Sequence, residues 1–462
     1  MQRQLTISPV DGRVLVERDY ADAAQIERTL QRAQRAQAGW RRTDVETRAR
    51  ICRVFCDAFA AAADEIAPEL SWQMGRPVAA APSEVRGTLD RARYMIDIAA
   101  AALVDVAVDD KPGFRRFIRR EPLGVVLTIA AWNYPYLIAI NSVIPALMAG
   151  NAVLLKHSAQ TPLCAERFAA AFAGAGLPEG LFQVLHLTHE QTAQLIEDSR
   201  IGYVAFTGSV QGGLAVQGAA STRVVGLGLE LGGNDPAYVR ADADFDHAVE
   251  NLVDGAFFNS GQSCCGIGRI YVADSLYARF VEASVALTRR YVLGDPLDPA
   301  TTLGPCVRTA AADAVRAVTR QALADGARTL IDEALFPLSR AGSPYLAPQI
   351  LIGVNQSMPV QREETFGPVV TIMSVSGDAE ALRHMNDSRY GLTASVWTRD
   401  AEAAMTLGAS LNTGTFFMNR CDYLDPALAW VGVKDSGRGC TLSSVGYEYL
   451  TRPKSFHLRL AS

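Results

Sequence analysis

Lysine is scarce in this sequence, and so are several patterns that would define other classes of protein. Only four of its 44 basic residues are lysines, at positions 111, 156, 434 and 454. Basic and acidic residues are spread along the chain with a formal net charge of −5, and no basic block suits a phosphate backbone. We therefore expect no nucleic-acid partner. Each lysine, Lys156 above all, is a candidate for a position that requires a compact ammonium.

Long apolar runs and patterned cysteines are also absent. No stretch reaches the roughly 18 apolar residues that a membrane span needs, and the N-terminal MQRQLTISPV lacks the apolar centre of a signal peptide. The eight cysteines, at positions 52, 56, 164, 264, 265, 306, 421 and 440, do not have the spacing of metal ligands. We expect a cytoplasmic protein with free thiols, and neither a membrane partner nor a metal.

Periodicity predicts an α/β fold with at least two domains, since 462 residues exceed one ordinary core. Helical spacing dominates the first hundred residues. From about residue 123, the short apolar runs GVVLTIA, NAVLLK, LFQVLHL and GYVAF alternate with helices predicted near 136–148, 161–174 and 189–198. This order predicts a parallel sheet covered on both faces, with a dinucleotide at its strand carboxyl ends. A second alternating region begins near residue 236.

Two segments fit neither region. Residues 113–122, GFRRFIRREP, read as an extended charged arm, and Phe456, Leu458 and Leu460 alternate with polar residues near the C-terminus. Strict period two predicts a strand with one apolar face, and such an exposed edge needs a partner.

A glutamate and a cysteine carry the strongest chemical signal. Glu230 lies in LELGGNDP, and Cys264 follows 34 positions later in FFNSGQSCCGIGR. A thiol attacks carbonyl carbon and splits a difficult step into two easier ones, and the surrounding glycines allow backbone to approach a substrate. Taken alone, Cys264 and Cys265 would more often be two buried cysteines, and Glu230 a salt-bridged structural carboxylate.

These stretches resemble the cysteine and glutamate motifs of the aldehyde dehydrogenase superfamily, at the spacing usual there. The resemblance covers nearly the whole chain, including NYP at 133–135, GNAVLLKHS at 150–158, FTGS at 206–209, EETFGPVV at 363–370 and YGL at 390–392.

The resemblance implies an aldehyde dehydrogenase-like α/β fold with three parts. These are a Rossmann-type cofactor domain at 1–110 and 123–231, an α/β catalytic domain at 232–440, and a small β oligomerisation element made of the arm at 111–122 and the tail at 441–462. A homodimer or homotetramer is therefore expected.

The resemblance also assigns roles in the oxidation of a small-molecule aldehyde. Cys264 attacks the aldehyde, and Asn133 with the backbone N–H of Cys264 stabilises the oxyanion. Hydride passes to the nicotinamide, and Glu230 activates the water that hydrolyses the thioester. Asn133 alone would suit a turn before proline. Glu230 argues against a branch that transfers the acyl group to coenzyme A. A catalytically silent structural relative and a cysteine hydrolase are two further hypotheses.

The same resemblance implies a site for NAD or NADP. Lys156 would hold the adenosine ribose, the Gly-Ser pair at the start of a helix offers N–H groups to a phosphate, and EETFGPVV would contact the nicotinamide half. Ala159 stands where many NAD-preferring relatives carry a ribose-binding glutamate, so NADP is not repelled. The predicted cofactor-binding residues are Trp132, Lys156, Thr207, Gly208, Ser209, Leu231, Glu364 and Phe366.

Substrate choice rests on residues predicted to line the entry: Tyr134, Asn141, Phe258, Arg420, Asp422 and Trp430. The three aromatic residues favour an aromatic-walled tunnel. Asn141 replaces an arginine that binds a carboxylate in succinate-semialdehyde dehydrogenases, which weakens the case for such a substrate. Arg420 is a substitute anion anchor, whereas Asp422 favours a cationic aminoaldehyde, so both substrate classes stay open. Cys440 and Thr441 replace a usual Arg-Glu pair, which predicts that Glu230 acts without a second acid.

Overall fold

Buried apolar segments form the central strands of the two large sheets in a computed structural model that describes residues 3–460. Residues 1–2 of the predicted cofactor domain and 461–462 of the predicted tail lie outside it. The strands are β1 Arg3–Ile7, β2 Val14–Asp19, β3 Val106–Ala107, β4 Phe114–Pro122, β5 Val125–Ala130, β6 Ala152–His157, β7 Phe182–Val184, β8 Ile201–Thr207, β9 Gly226–Glu230, β10 Asp235–Val239, β11 Ile267–Ala273, β12 Arg328–Thr329, β13 Gln349–Ile352, β14 Val369–Val375, β15 Thr393–Trp397, β16 Thr415–Met418, β17 Gly437–Arg438 and β18 Thr451–Arg459.

Fifteen α-helices accompany these strands within the same residues. They are α1 Ala23–Trp40, α2 Val45–Ala61, α3 Ala63–Met74, α4 Ala81–Ala102, α5 Pro135–Met148, α6 Pro162–Gly174, α7 His189–Glu197, α8 Val210–Ala220, α9 Phe245–Phe257, α10 Asp274–Thr288, α11 Thr309–Ala324, α12 Pro359–Arg362, α13 Asp378–Asn386, α14 Ala401–Ser410 and α15 Ser443–Tyr449. Short 3-10 helices occur at Phe258–Gly261, Glu333–Leu335 and Lys434–Ser436.

The first large sheet has the order β17-β9-β8-β5-β6-β7, and all its neighbours except β17 and β9 run parallel. Every residue of β5 and β6 is buried, as expected for strands covered on both faces. The predicted apolar runs are confirmed as β5 to β8, and the predicted helices between them as α5, α6 and α7. The predicted parallel sheet is therefore present.

The N-terminal helices pack onto this sheet with the faces that their spacing predicts. Leu30, Ala33 and Trp40 of α1 are buried, and the Trp40 indole donates a hydrogen bond to the Leu147 carbonyl at 2.8 Å. In α2, Phe55 and its neighbours join a cluster of stacked and edge-on aromatic rings with α5 and α6: Phe59, Tyr136, Phe168 and Phe172. This cluster fixes α5, the helix that follows Asn133 and Tyr134.

The second large sheet has the order β12-β13-β14-β11-β10-β15-β16, with β12 antiparallel to its neighbour and the other strands parallel. It is covered by its own buried clusters. Residues 231–234 connect β9 of the first sheet to β10 of the second. The LELGG stretch therefore lies where the two large sheets meet.

A small antiparallel sheet, β18-β4-β3, pairs the arm with the tail. The predicted tail strand is confirmed as β18, and the Phe117 and Phe456 rings stack across it at 4.6 Å. β3 also joins this sheet, although the predicted boundaries assign residues 106–107 to the cofactor domain.

The C-terminal boundaries differ from the prediction. Residues 437–438, predicted in the catalytic domain, form β17 of the first sheet. Residues 442–450, predicted in the tail, fold back on the first core because Leu442, Tyr447 and Leu450 are buried there. The tail strand proper begins at Thr451, where period two begins.

Membrane-spanning helices, metal clusters and disulfides are absent from the part of the chain that the structure describes. Between residues 3 and 460, no helix combines the length and hydrophobicity needed to cross a bilayer. That range also has no cluster of three metal-ligating side chains. All eight cysteines are free.

Candidate active site

Cys264 lies in a turn between the 3-10 helix at Phe258–Gly261 and β11; we call residues 258–264 the cysteine loop. Asn259 and Ser260 have φ values of 53° and 57°, a left-handed conformation that side chains rarely adopt. A Cβ on Gly261 would lie 2.2 Å from the carbonyl oxygen of Gly367. The loop is therefore a tightly held turn pressed against the EETFGPVV segment.

Asn133 is joined to the cysteine loop by both its side chain and its backbone. Its Nδ2 donates to the Gln262 carbonyl at 3.1 Å, and its own carbonyl accepts from Nδ2 of Asn259 at 3.1 Å. The side-chain amide of Asn133 is therefore held at Gln262, two residues before Cys264. One of its two N–H groups remains free to donate. The structure brings this predicted oxyanion donor to the nucleophile's loop.

A buried ion pair that sequence reasoning missed supports this junction. Arg76 and Glu84 are both fully buried and form a salt bridge. Arg76 also donates to the Asn133 carbonyl, and its Nε donates to Oδ1 of Asn259 at 3.3 Å. Oε1 of Glu84 accepts from the N–H of Tyr136 at 2.9 Å. The only sequence signal was an acidic residue on an otherwise buried helix face.

Glu230 ends β9, and hydroxyl groups hold both of its carboxylate oxygens. Thr207 donates to Oε2 at 3.0 Å and Thr441 donates to Oε1 at 2.6 Å. Burial raises the pKa of Glu230, while the two hydrogen bonds and the charge of Arg91 oppose that rise. Thr441 supplies no second acid, as predicted, but it does assist Glu230 by orienting its carboxylate.

Cys264 and Glu230 line one cavity of about 440 Å³. Five of the predicted substrate residues line it too: Tyr134, Asn141, Phe258, Asp422 and Trp430. Arg420 does not, because its exposed guanidinium stacks over the Tyr423 ring at 3.4 Å. The predicted anion anchor at Arg420 therefore lies outside the cavity.

The contacts of Cys265 are structural, in contrast to the nucleophilic role predicted for its neighbour Cys264. Cys265 is buried, and its Sγ lies 2.9 Å from Oδ1 of Asp422, which also accepts from the Ser263 hydroxyl at 3.0 Å. Its hydrogen bond with Cys264, its burial and the charge of Asp422 raise the pKa of the Cys265 thiol. Cys265 is a structural thiol that ties the loop to Asp422.

Arg91 also lines the cavity, although it was not among the residues predicted to do so. It lies on α4, is buried, and donates through Nη1 to the Leu137 carbonyl at 3.0 Å and to Oδ1 of Asn141 at 3.2 Å. Its spacing from Glu84, Thr88 and Met95 places it on the buried face of α4, and that spacing is the signal that could have singled it out.

The predicted phosphate-binding turn adjoins Glu230. β8 ends at Thr207, the N–H of Gly208 donates to the Glu230 carbonyl at 3.0 Å, and the Ser209 hydroxyl caps α8 by accepting from Gly212 at 3.1 Å. Lys156 lies near the carboxyl end of β6 in the same sheet, where burial lowers the pKa of its ammonium. An ammonium and a capped helix start at one sheet edge fit a dinucleotide.

His157 is a core residue, whereas a lone histidine after a strand is usually a surface residue. It is buried, with one ring nitrogen 3.1 Å from the Pro135 carbonyl and the other 3.1 Å from the Thr161 hydroxyl. Burial lowers its pKa to about 4, so the ring is neutral at pH 7. A neutral ring at this position adds no positive charge beside Lys156.

Glu364 and the LELGG stretch contact each other directly. The Gly233 N–H donates to Oε1 of Glu364 at 3.1 Å, and a Cβ on Gly232 would lie 2.2 Å from Oε2. Burial raises the pKa of Glu364 to about 7. Gly232 thus makes room for this carboxylate, because any side chain at that position would fill the space.

The remaining predicted cofactor residues lie around the same junction. The rings of Trp132 and Phe366 meet edge-on with centroids 5.6 Å apart. Leu231 donates its N–H to the Ser436 carbonyl at 2.9 Å, and its side chain packs against Gly213 of α8. Leu231 therefore contributes packing beneath the helix start.

Known proteins are similar to this sequence over nearly its whole length. Residues 2–456 match the sequence pattern described as "Aldehyde dehydrogenase family". An aldehyde dehydrogenase of Paenarthrobacter nicotinovorans is 35% identical over 444 residues, covering 96% of both chains. Succinate semialdehyde dehydrogenase [NAD(P)+] Sad of Escherichia coli K12 is 35% identical over 445 residues, covering 96% of this chain and 95% of its own.

Solved structures agree with the fold. Succinic semialdehyde dehydrogenase from Streptococcus pyogenes in complex with NADP+ superimposes with a TM-score of 0.93 at 29% identity, covering 99% of this chain and 100% of its own. PnpE in complex with nicotinamide adenine dinucleotide superimposes with a TM-score of 0.94 at 28% identity, covering 100% and 95%. The predicted fold class is confirmed.

Proposed function

The chain belongs to the aldehyde dehydrogenase family, and from that premise we propose that it oxidises an aldehyde to a carboxylic acid through a thioester on Cys264 that Glu230 hydrolyses. One observation carries the proposal. A thiol and a carboxylate that lie far apart in sequence line the same cavity. A concave site that contains both a thiol nucleophile and a carboxylate base is suited to the transfer of an acyl group to water.

The first half of the reaction uses the cysteine loop. The thiolate of Cys264 adds to the aldehyde carbon, and the resulting oxyanion accepts hydrogen bonds from the free N–H of the Asn133 side chain and the backbone N–H of Cys264. Bound NAD or NADP supplies a two-electron hydride acceptor. Loss of hydride from the adduct restores the carbonyl group and leaves a thioester on Cys264.

The second half uses Glu230. A carboxylate whose pKa is raised by burial is a stronger base than an exposed one, and Thr207 and Thr441 hold its two oxygens in place. Glu230 takes a proton from water as the water attacks the thioester. The carboxylic acid leaves, and the proton returns to the Cys264 thiolate or to solvent.

Both nicotinamide cofactors are proposed to bind. Lys156 and Ser209 lie toward the same sheet edge, and Ala159 brings no carboxylate that would repel a ribose phosphate. The similar Escherichia coli enzyme is named for NAD(P)+, and the two similar structures hold NADP+ and nicotinamide adenine dinucleotide. These names support dual use here.

Two substrate classes are consistent with the cavity. Relatives named as succinate semialdehyde dehydrogenases favour an aldehyde that carries a carboxylate. A cationic aminoaldehyde is the second candidate, because Asp422 lines the cavity.

An aldehyde panel tests the function. The purified protein is mixed with chemically varied aldehydes and either NAD or NADP, and the absorbance of reduced nicotinamide is followed. We expect turnover without coenzyme A. A strict requirement for coenzyme A would identify the acylating branch, ester cleavage without any nicotinamide reduction would identify a hydrolase, and no signal with any aldehyde would contradict the proposal.

The small sheet is proposed to form the interface of a homodimer or homotetramer. Its edge strand β18 and the residue after it expose Leu458 and Leu460 at 45% and 52%, and unpaired apolar edges favour association. Light scattering on the full chain and on a chain ending at residue 450 tests this, since only the full chain is expected to associate.

Eight free thiols support a cytoplasmic location.

A further inference from the structure

Arg91 is a buried cation with unused donors inside the active-site cavity. Its side chain is only 9% exposed, and it lines the same cavity as Cys264 and Glu230. Nη1 is occupied by the Leu137 carbonyl and by Oδ1 of Asn141. Nε and Nη2 make no hydrogen bond to any residue that the structure describes. These two atoms form the edge of a guanidinium that grips a carboxylate with two parallel hydrogen bonds.

No carboxylate of residues 3–460 lies within salt-bridge distance of Arg91. Arg76 shows the usual solution to the same problem, because it is buried and has Glu84 as an ion-pair partner. An unpaired guanidinium in an interior is unfavourable unless something else pairs with it. Burial accordingly lowers the pKa of Arg91, and the charge of Glu230 offsets this only in part. A ligand anion would supply the missing partner.

Asn141 holds the guanidinium of Arg91 in place. It stands where the family resemblance places a carboxylate-binding arginine of succinate-semialdehyde dehydrogenases, and here its side-chain oxygen accepts from Arg91. A guanidinium therefore reaches this place from α4, while α5 supplies the amide that orients it. The cation is retained but comes from a different helix.

We propose that Arg91, oriented by Asn141 and Leu137, binds a carboxylate on the aldehyde substrate, so that the enzyme is specific for short semialdehydes that carry a second acid group. This inference rests on the proposed aldehyde oxidation and refines its substrate class. We call Arg91, Leu137 and Asn141 the anchor site. Arg91 is a specificity-determining residue that does not take part in the bond changes at Cys264.

Four carboxylates line the cavity, those of Asp90, Glu230, Asp254 and Asp422, but none of these four forms a salt bridge with Arg91, and the space beside Arg91 is unsuited to an ammonium group. Asp422 already accepts from Ser263 and Cys265, and Asp254, which also lines the cavity, is exposed to water. A cationic substrate would have to share the space with the unpaired charge of Arg91. Charge repulsion at short range in an interior outweighs attraction to a hydrated carboxylate.

The test compares two aldehydes of equal chain length, succinic semialdehyde and butanal, in the presence of NADP or NAD. We expect the wild-type kcat/KM for succinic semialdehyde to exceed that for butanal at least about 100-fold. Arg91→Met should reduce that ratio by about 100-fold, mainly through KM, because a buried charge pair is lost. Arg91→Lys should restore part of it, since a point charge replaces the fork. Calorimetric titration with succinate should show binding to wild type and none to Arg91→Met.

Arg93→Met is the matched control. Arg93 lies on the same helix, is half exposed, and has its nearest carboxylate on Asp57 at 3.8 Å, so its loss should leave both rate constants unchanged. An equal fall for both aldehydes in Arg91→Met would overturn the proposal, because Arg91 would then act through Glu230. An unchanged ratio would also overturn it. Arg86 is an exposed arginine of α4 that also lines the cavity, and a loss of the ratio in Arg86→Met instead would assign the anchor to Arg86. A wild type that oxidises butanal or other aldehydes of the panel without preferring succinic semialdehyde refutes the anchor site alone; one that oxidises no aldehyde of the panel refutes the proposed function.

Discussion

The cysteine loop and the anchor site hold their buried charges in opposite ways. At the cysteine loop, Arg76 is neutralised by Glu84, and its remaining donors fix Asn133 and Asn259. At the anchor site, Arg91 is held by neutral oxygens and keeps donors unused. This contrast indicates that the cysteine loop stays fixed while bonds change at Cys264, whereas the anchor site is completed only when a ligand binds.

The largest effect is expected when the nucleophilic sulfur of Cys264 is removed from the cysteine loop. Cys264→Ala should lower kcat by at least about 10⁴-fold with every aldehyde, because no other group can form the thioester. Steady-state rates of nicotinamide reduction measure this. Cys265→Ala is the matched variant, and it should keep most of the activity because Cys265 only ties the loop to Asp422. Loss of activity in Cys265→Ala alone would reverse the two assignments.

A smaller effect is expected from the ion pair that fixes the loop. Arg76→Met leaves Glu84 buried without a partner, so the free energy of unfolding should fall by about 3–5 kcal/mol. Because Asn133 also loses a donor to its carbonyl, kcat should fall by about 100-fold with both anionic and neutral aldehydes. Denaturant unfolding and steady-state kinetics provide the readouts.

The control for that variant is an exposed pair. Arg53 and Asp97 lie 2.8 Å apart with both side chains more than half exposed, so Arg53→Met should change neither stability nor rate appreciably. If Arg76→Met behaved like Arg53→Met, the cysteine loop would not depend on its buried charge, and the contrast with the anchor site would disappear.

The smallest effect concerns the hydroxyl that holds Glu230. Thr441→Val removes a hydrogen bond that lowers the pKa of this carboxylate, so that pKa should rise further above its ordinary value. The base is then protonated up to a higher pH, and the acidic limb of the kcat profile should move upward. At neutral pH kcat should fall roughly tenfold, the equivalent of about 1.4 kcal/mol. Thr441→Ser keeps the hydroxyl and should keep the wild-type profile; an unshifted limb in the valine variant would contradict the role of Thr441.

Much of the fold follows from local pattern. β5 and β6 are continuous apolar runs, and α5, α6 and α7 have strong helical spacing, so their positions are predicted to within two residues. The C-terminal boundaries escape prediction because β17 has two residues and α15 seven, too short for a period to register. Their place in the first sheet is decided by tertiary burial.

The reacting residues were also within reach of the sequence, because Cys264, Glu230 and Asn133 lie in recognisable motifs. Arg76, in the loop after α3, and Arg91, on α4, were not, since a charged residue is normally solvated and its burial depends on distant partners. Glu84, Asn141 and Asn259, which contact these arginines, are 8 to about 180 positions away along the chain. The role predicted for Arg420 failed for the same reason, because no local pattern shows that its guanidinium stacks on the Tyr423 ring and does not line the cavity.

The most direct test of the central claim is rapid mixing of Glu230→Gln with saturating aldehyde and cofactor. Formation of the thioester does not need the base, but its hydrolysis does. We predict a burst of reduced nicotinamide close to one equivalent per active site, followed by a steady state at least about 100-fold slower than in wild type, with an acyl group on Cys264 detectable by mass spectrometry. A steady-state rate equal to that of wild type, or the absence of any burst, would contradict the account.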